Sequence, residues 1–322
     1  MQHFTAISAG PEIAESAGMR GRVLAVLSNA VYLRSEGGHV VGIAGQAAED
    51  GPFTLRVGEF GLLLRLVKGR EHTAFVSAQT FIELEGLARL ELGRARQWQA
   101  HPPGTIAAVN ERVGAVRILL GLLEGSGYNA QPCGLASYLY GAHRSLPQLN
   151  EVLLPRANSA TGDMILRGLA ERLIRFQGAA AELDVASASE ALVSLLGLGT
   201  GLTPSGDDIV AGILASLVWQ ARLGAVPAEL AERLVEAVRE AAPRRTNYVS
   251  LRLVWHAGNG VLYAPAMELG GALLGGHVTS LAAPARRLLS IGHSSGADMT
   301  TGLLAGIVAG IELESRSKVP TC

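Results

Sequence analysis

Residues 209–219 are apolar apart from Ser216, and this run constrains the fold more than any other part of the sequence. A helix that is apolar on every side has to be buried on every side. The run is too short to cross a bilayer, which takes ~20 residues. Just before it, residues 197–202 are rich in glycine, and Thr203-Pro204 indicates a helix cap followed by a first-turn proline. We therefore expect a core helix that begins at a glycine-rich loop.

The sequence changes character at His101-Pro102-Pro103-Gly104, because two prolines interrupt any helix or strand. Before this point, short segments rich in Val, Leu, Ile and Phe are separated by turn residues, which predicts strands. After residue 105 the pattern fits a helical period. We predict an α+β fold, with a β-rich N-terminal domain at residues 1–100 and a helical domain with buried apolar helices at residues 105–322. The predicted strands are 22–28, 31–34, 39–43, 53–57, 61–66, 73–76, 79–84 and 89–92. The predicted helices are 105–124, 135–142, 163–177, 188–196, 207–223, 228–240, 247–256, 265–274, 280–289 and 298–313.

Charge and cysteine content exclude several classes of function. The net charge is −1 and the pI is about 6.7, so we expect no nucleic-acid partner and no membrane surface partner. The two cysteines cannot form a disulfide framework or a zinc cluster. The first 20 residues lack the basic start and apolar block of a signal peptide. These features predict a cytoplasmic protein.

The glycine-rich loop places two adjacent carboxylates, Asp207 and Asp208, at the start of the apolar helix. The free N–H groups of a helix start attract small anions, and carboxylates there also complement the helix dipole. Two charges beside a core need a cation or hydrogen-bond donors. A Mg²⁺ ion on Asp207 and Asp208 fits this need, and an arginine is the alternative: Arg156, Arg244, Arg245 or Arg252.

A second segment repeats this pattern. Residues 206–212 (GDDIVAG) and 296–302 (GADMTTG) share the pattern G-x-D-x-x-x-G, and each follows a serine. A weaker copy, with its acid one place earlier, runs from Thr161 to Gly168. Such glycine spacing can recur by chance, and the other interpretation is that these helix starts face one cavity. In that cavity we expect Asp207, Asp208, Asp298 and His293 to act in catalysis, His293 as a donor or proton shuttle. For His293 the alternative is a hydrogen bond to a loop carbonyl.

The remaining candidates are groups that bind an anion. Thr246 and Ser250 are four residues apart, so we expect them to share a helix face and, with Arg244 and Arg245, to hold a carboxylate or phosphate. The alternative is an ordinary solvated helix start. Ser294 and Ser295 suit capping or anion binding, because the nucleophile-elbow motif is absent. Neither classical nucleotide-binding glycine motif is present. The predicted substrate-binding residues are Gly199, Thr200, Gly201, Thr203, Ser205, Gly206, Thr246, Ser250, Ser294, Ser295 and Gly296.

The chain resembles the AllH family, which supplies a subunit of oxamate carbamoyltransferase. The resemblance is carried by residues 199–208 (GTGLTPSGDD) and 292–298 (GHSSGAD), and more loosely by 23–27 (VLAVL), 29–33 (NAVYL), 95–98 (ARQW) and Thr246 with Ser250. It implies a role in anaerobic allantoin breakdown, a branch of purine catabolism. The implied reaction moves a carbamoyl group between oxalurate and phosphate, giving oxamate and carbamoyl phosphate. The implied partners are an FdrA-like chain and a third subunit. The resemblance assigns no role to individual residues.

Three functions are compatible with these patterns. The first is the carbamoyltransferase subunit, for which a site rich in N–H donors suits the negative charge that develops on a carbonyl oxygen. The second is a Mg²⁺-dependent phosphate or nucleotide hydrolase, indicated by the aspartate pair alone. The third is a non-catalytic scaffold subunit in a complex of several chains. We favour the first.

Overall fold

The structure, a computed structural model, describes residues 1–15, 17–125 and 164–317. The predicted helix at 135–142, the segment from Thr161 to Asp163, and Arg156 lie outside the described residues. The chain divides into two compact units, Met1–His101 and Pro102–Cys322. The described part is α+β, with strands in the first unit and helices throughout the second, which confirms the predicted fold class.

The first unit is a sheet that closes on itself. The strands are β1 (Gln2–Ala9), β2 (Arg20–Val26), β3 (Ala30–Ser35), β4 (Val40–Gly45), β5 (Thr54–Val57), β6 (Ala74–Ser77), β7 (Phe81–Leu84), β8 (Ala88–Glu91) and β9 (Arg96–Gln97). Their order in the sheet is β5-β4-β3-β2-β6-β7-β8-β1-β9, and β1 also pairs with β5 in the antiparallel sense. The sheet is mostly antiparallel, but β1 runs parallel to β8 and β9, and β4 runs parallel to β5.

The core of this unit follows from alternation along the strands. In β3 every second residue is buried, and Val31 and Leu33 are fully inside, as expected for a strand with one face toward a core. The closed sheet surrounds an apolar cluster that runs from Phe4 to Leu92 in the sequence. This unit therefore has a hydrophobic core of its own.

The first unit differs from the sequence prediction at residues 61–66 and at its first and last strands, since neither β1 nor β9 was predicted. Residues 61–66 were expected to form a strand, but they lie in helix α2 (Phe60–Val67), which follows the short helix α1 (Pro11–Glu15). The buried residues of α2 are Leu63 and Val67, which are four apart and share a helix face. A short, almost wholly apolar run carries no clear period, so it does not separate helix from strand. Strand β1 was not predicted, because its buried positions include the small residues Ala6 and Ser8.

The second unit consists of helices, and each helix predicted within the described residues is present with shifted ends. Its α-helices are α3 (Val109–Gly125), α4 (Met164–Ala181), α5 (Val185–Leu195), α6 (Ser205–Arg222), α7 (Ala228–Arg245), α8 (Tyr248–Ala257), α9 (Ala264–Leu274), α10 (Ala282–Leu289) and α11 (Ser295–Ser317). The residues of α6 from Gly206 to Gln220 are all buried, as its apolar sequence predicts.

Helices α6 and α11 form the centre of this unit and approach each other at glycines. A Cβ atom on Gly302 would lie 2.1 Å from the carbonyl oxygen of Ile209, and one on Gly212 would lie 2.5 Å from that of Met299. The contact is reciprocal, because Gly212 and Gly302 hold the same place in the repeated G-x-D-x-x-x-G pattern, as do Ile209 and Met299. The repeat therefore has a structural meaning: its two copies pack against each other.

Helix α11 is also long and apolar enough to cross a membrane. The segment that meets this criterion is Ser295–Arg316, and 94% of its apolar 18-residue window is buried inside the protein. A helix enclosed in this way is typical of the core of a globular protein.

Candidate functional site

The candidate site lies where α6 and α11 begin. The loop before α6 and the first turn of α11 are joined by a hydrogen bond between the hydroxyls of Thr203 and Ser295, whose oxygens are 2.8 Å apart. The same loop is also bound by α8, because the hydroxyl of Ser250 in that helix donates to the carbonyl of Leu202 over 3.3 Å. The two copies of the repeated pattern thus meet in space.

Thr203 does not have the role expected from its neighbour Pro204. Helix α6 begins at Ser205, its capping position is Pro204, and no side chain caps it. The Thr203 hydroxyl lies beside Ser295 instead. Backbone carbonyls satisfy this helix start instead, because the N–H of Gly206 donates to Leu198 (2.8 Å) and that of Asp207 donates to Pro204 (2.9 Å).

Asp207 is bound by donors from two other parts of the unit. It is 0% exposed, and it accepts a hydrogen bond from the N–H of Gly197 (2.8 Å) and one from the hydroxyl of Thr246. Burial raises the pKa of Asp207, while Thr246, Gly197 and the Ser250 hydroxyl act in the opposite direction. The carboxylate therefore ties the glycine-rich loop to the junction of α7 and α8.

Asp208 has different surroundings from its neighbour. It is 1% exposed, Asp298 is 0% exposed, and the two are close enough for the charge on Asp298 to act on Asp208. Burial raises the pKa of Asp208 well above its usual value, and the charge on Asp298 raises it further. The hydroxyls of Ser295 and Thr203 lower it in part. The coupled carboxylates are thus Asp208 and Asp298, one from each copy of the repeat.

Glycine is required where each copy begins. A Cβ on Gly206 would lie 1.9 Å from the carbonyl oxygen of Leu195, and one on Gly296 would lie 1.8 Å from that of Leu288. Gly199 has a φ of +124°, and a Cβ there would lie 2.6 Å from the N atom of Ser205. Because these positions lack side chains, the backbone can fold closely around both helix starts.

The other predicted site residues lie at the outer edge of this region. Thr200, Gly201 and His293 are exposed, and Ser294 is half-buried. Thr246 ends α7 and Ser250 lies in the first turn of α8, with Asn247 capping that helix between them. The two hydroxyls do not share one helix face: that of Thr246 donates to Asp207, and that of Ser250, which donates to Leu202, lies close enough to Asp207 to lower its pKa. Arg244 and Arg245 are exposed.

A metal at this site would have few side-chain ligands. In residues 1–15, 17–125 and 164–317, no three His, Cys, Asp or Glu residues are placed to hold one ion together. Asp207 and Asp208, the residues expected to bind Mg²⁺, have different partners, since Asp207 is held by donors. Any further ligands for a cation on Asp208 would be Asp298, hydroxyls, backbone oxygens or water.

Sequence reasoning selected these aspartates but not their pairing. Adjacency in the sequence suggested Asp207 with Asp208, and the charge on Asp207 does raise the pKa of Asp208, but the charge on Asp298 raises it more. The repeat contained the necessary signal, because its alignment places Asp208, and not Asp207, opposite Asp298. The N–H of Gly197, which binds Asp207, was also absent from the predicted set.

The fold and this geometry describe an α+β protein in which two core helices begin side by side, each with a buried aspartate in its first turn. Residues 195–307 match the family described as oxamate carbamoyltransferase subunit AllH. The matched segment starts at the end of α5 and includes both helix starts, so this part of the chain resembles the AllH family. No curated protein and no solved structure matches the chain.

Proposed function

We propose that this chain is the AllH-type subunit of an oxamate carbamoyltransferase and that the starts of α6 and α11 bind its small anionic substrates. One observation carries this proposal: the segment that resembles AllH, residues 195–307, contains the whole candidate site. Within that segment the Thr203 and Ser295 hydroxyls join the two copies of the repeat. The resemblance and the geometry therefore indicate the same region.

The chemistry of carbamoyl transfer suits a site of this kind. An oxygen of hydrogen phosphate attacks the ureido carbonyl of oxalurate, the C–N bond to the oxamate part breaks, and oxamate and carbamoyl phosphate are formed. Hydrogen phosphate also carries the proton that the departing nitrogen needs. Negative charge develops on the carbonyl oxygen during the attack, and fixed N–H donors stabilise such charge most effectively where water is excluded.

We propose that the donors for this step are the hydroxyls at the two helix starts, because the N–H groups of Gly206 and Asp207 in α6 and of Gly296 and Asp298 in α11 already donate to backbone carbonyls. Both starts also place the positive end of a helix dipole toward the ligand. We propose that Thr203, Ser205 and Ser295 orient the bound anions through their hydroxyls. His293, which is exposed at the edge of the site, is placed to exchange protons with solvent. The covalent chemistry then needs no nucleophilic side chain.

We further propose that the chain acts in a complex. The AllH description names a subunit, and we infer an FdrA-like chain and a third subunit as partners, with oxalurate, phosphate and carbamoyl phosphate as ligands. The enclosed position of α11 supports a cytoplasmic enzyme. Transfer in the reverse direction, from carbamoyl phosphate to oxamate, uses the same site.

Reconstitution with partner chains tests this proposal. The chain is co-expressed with the FdrA-like subunit and the third subunit, and carbamoyl phosphate formed from oxalurate and phosphate is measured. Activity that requires all three chains is the expected result. Turnover by the partners alone, or no turnover by the complete assembly with any of these substrates, would contradict the proposed function.

A further inference from the structure

We propose that Asp208 and Asp298 together bind one divalent cation of the magnesium type between the starts of α6 and α11, with the hydroxyls of Thr203 and Ser295 beside it. This site differs from a pair formed by the adjacent Asp207 and Asp208. It takes one carboxylate from each copy of the repeat, and its position is fixed by the packing of the two helices.

The first observation is an unsatisfied buried carboxylate. Asp208 is 1% exposed, and in the described parts of the chain no donor makes a hydrogen bond of good geometry to either carboxylate oxygen, although the Ser295 and Thr203 hydroxyls lie near enough to lower its pKa. Buried polar atoms nearly always have a partner, and a buried carboxylate without one is costly. A bound cation supplies the missing partner.

The second observation is the set of oxygen atoms around Asp208. The charge on Asp298 acts on it, and the hydroxyls of Ser295 and Thr203 lie close to it. Those two hydroxyl oxygens are 2.8 Å apart, so they face one small region. Mg²⁺ prefers oxygen ligands and is commonly held by one or two carboxylates, with water completing its octahedron.

Among the described residues, none is seen to supply a positive charge to Asp208. Asp207 is already held by Gly197 and Thr246. No ion pair between a described basic residue and Asp208 is present within the structure. Two carboxylates enclosed by apolar helices repel each other, and a bound proton or a cation between them relieves the repulsion. A divalent cation does so while keeping both groups charged.

The cation also resolves a difficulty in the proposed function, on which this part of the inference rests. An anionic substrate at the helix starts would lie beside two carboxylates and be repelled by them. A divalent cation on the pair would cancel its two negative charges and offer a coordination position to a phosphate oxygen, so phosphate should bind more tightly when Mg²⁺ is present.

The test measures metal binding by the full chain without any carbamoyl substrate. Mn²⁺ serves as the probe, because loss of its free electron paramagnetic resonance signal reports binding, and Mg²⁺ is added as a competitor. We expect one Mn²⁺ per chain, displaced by Mg²⁺, and at least a tenfold weaker affinity in Asp208→Asn and in Asp298→Asn. Asp184→Asn, which changes a fully exposed carboxylate, is the matched control and should bind as the wild type does.

Thermal unfolding keeps the result interpretable if a variant folds poorly. Asp208 accepts no hydrogen bond of good geometry from the described residues and is repelled by Asp298. In metal-free buffer, Asp208→Asn should therefore unfold at a temperature no lower than that of the wild type. MgCl₂ should raise the unfolding temperature of the wild type and leave that of Asp208→Asn unchanged.

Two results would overturn the cation site. One is a wild-type protein that removes no Mn²⁺ from solution and gains no thermal stability from MgCl₂. The other is wild-type affinity for Mn²⁺ in both aspartate variants. Neither result would decide whether the reconstituted complex transfers carbamoyl groups, so the cation site and the proposed function can fail separately.

Discussion

Asp207 and Asp208 are adjacent in the chain, yet their carboxylates lie in different environments. Asp207 receives the N–H of Gly197 and the hydroxyl of Thr246, whereas Asp208 faces the charge of Asp298. We interpret Asp207 as a positioning residue that holds the glycine-rich loop in place. Asp208 and Asp298 are then the carboxylates that we propose to bind a ligand.

Amide substitution at Asp207 should reduce stability. Asp207→Asn places an NH₂ group where the carboxylate now accepts hydrogen bonds, and the loss of a hydrogen bond to a charged group costs about 1–3 kcal/mol. Urea unfolding should show this loss relative to the wild type. Glu236→Gln, on an exposed carboxylate, is the control and should change the free energy of unfolding by less than about 0.5 kcal/mol. Equal stability of Asp207→Asn and wild type would contradict the positioning role.

Asp50 in the first unit predicts a pH dependence of stability. Burial alone would raise its pKa, but hydrogen bonds from Ser8 and Arg96 and the charge of Arg56 outweigh burial, so the pKa of Asp50 is lowered. The folded protein therefore favours the charged form. This stabilisation is present above the unfolded pKa of about 4 and is lost as the pH falls through the folded pKa.

The variant Asp50→Asn isolates this effect. It should be less stable than the wild type near neutral pH, by about 1–3 kcal/mol, and the difference should shrink as the pH falls below about 4. Urea unfolding at a series of pH values measures the difference in free energy of unfolding between Asp50→Asn and the wild type. The control is Glu15→Gln, which replaces an exposed carboxylate in the same unit. A difference that stays constant across the acid range would refute the assignment.

At the scale of elements, glycine positions determine how closely α6 and α11 pack. Gly302→Ala would bring a methyl group within 2.1 Å of the carbonyl oxygen of Ile209, and the helices would have to separate. Overpacking of this kind costs about 1–3 kcal/mol or more. The site should loosen as well, because both helix starts are positioned by this contact.

A second helix glycine provides the matched control. Gly178→Ala in α4 would meet no described atom within 4 Å, so the same change should stabilise the protein by about 0.5–1 kcal/mol through helix propensity. Thermal unfolding of the two variants should therefore shift in opposite directions. Shifts of the same sign and size would show that the close contact between α6 and α11 does not contribute to the stability of the protein.

The elements of the second unit were predictable because their patterns are long. Apolar periodicity located α6 and α11, whose ends moved by a few residues only. The role of Thr203 was not predictable in this way. A threonine before a proline suggests a helix cap, but the local sequence does not show which partner its hydroxyl binds. Here the hydroxyl lies beside Ser295, which belongs to a distant segment.

At the scale of the whole molecule, the features that could not be predicted from the sequence depend on contacts between residues far apart in the chain. Closure of the sheet through β1 and β5 pairs residues near Ala6 with residues near Val57, and no local pattern encodes that pairing. The coupling of Asp208 to Asp298 likewise spans two helices. The repeated G-x-D motif is consistent with this coupling, but the packing of α6 on α11 is what places Asp298 near Asp208.

The first unit should fold without the second. Its apolar cluster is built from residues between Phe4 and Leu92, so a fragment of residues 1–101 keeps its entire core. We expect this fragment to unfold cooperatively in urea and to show a β-type circular dichroism spectrum. A fragment that shows no cooperative transition would refute the domain boundary we propose at residue 101.

The central claim is that the paired helix starts are the reacting site of the complex. The most direct measurement is the turnover of oxalurate and phosphate to carbamoyl phosphate by the reconstituted assembly, with Asp298→Asn compared with the exposed control Asp184→Asn. We predict that Asp298→Asn lowers kcat by at least 100-fold, as loss of one key electrostatic group typically does, while its circular dichroism and assembly stay native and Asp184→Asn keeps full activity. Wild-type turnover in Asp298→Asn would contradict the account.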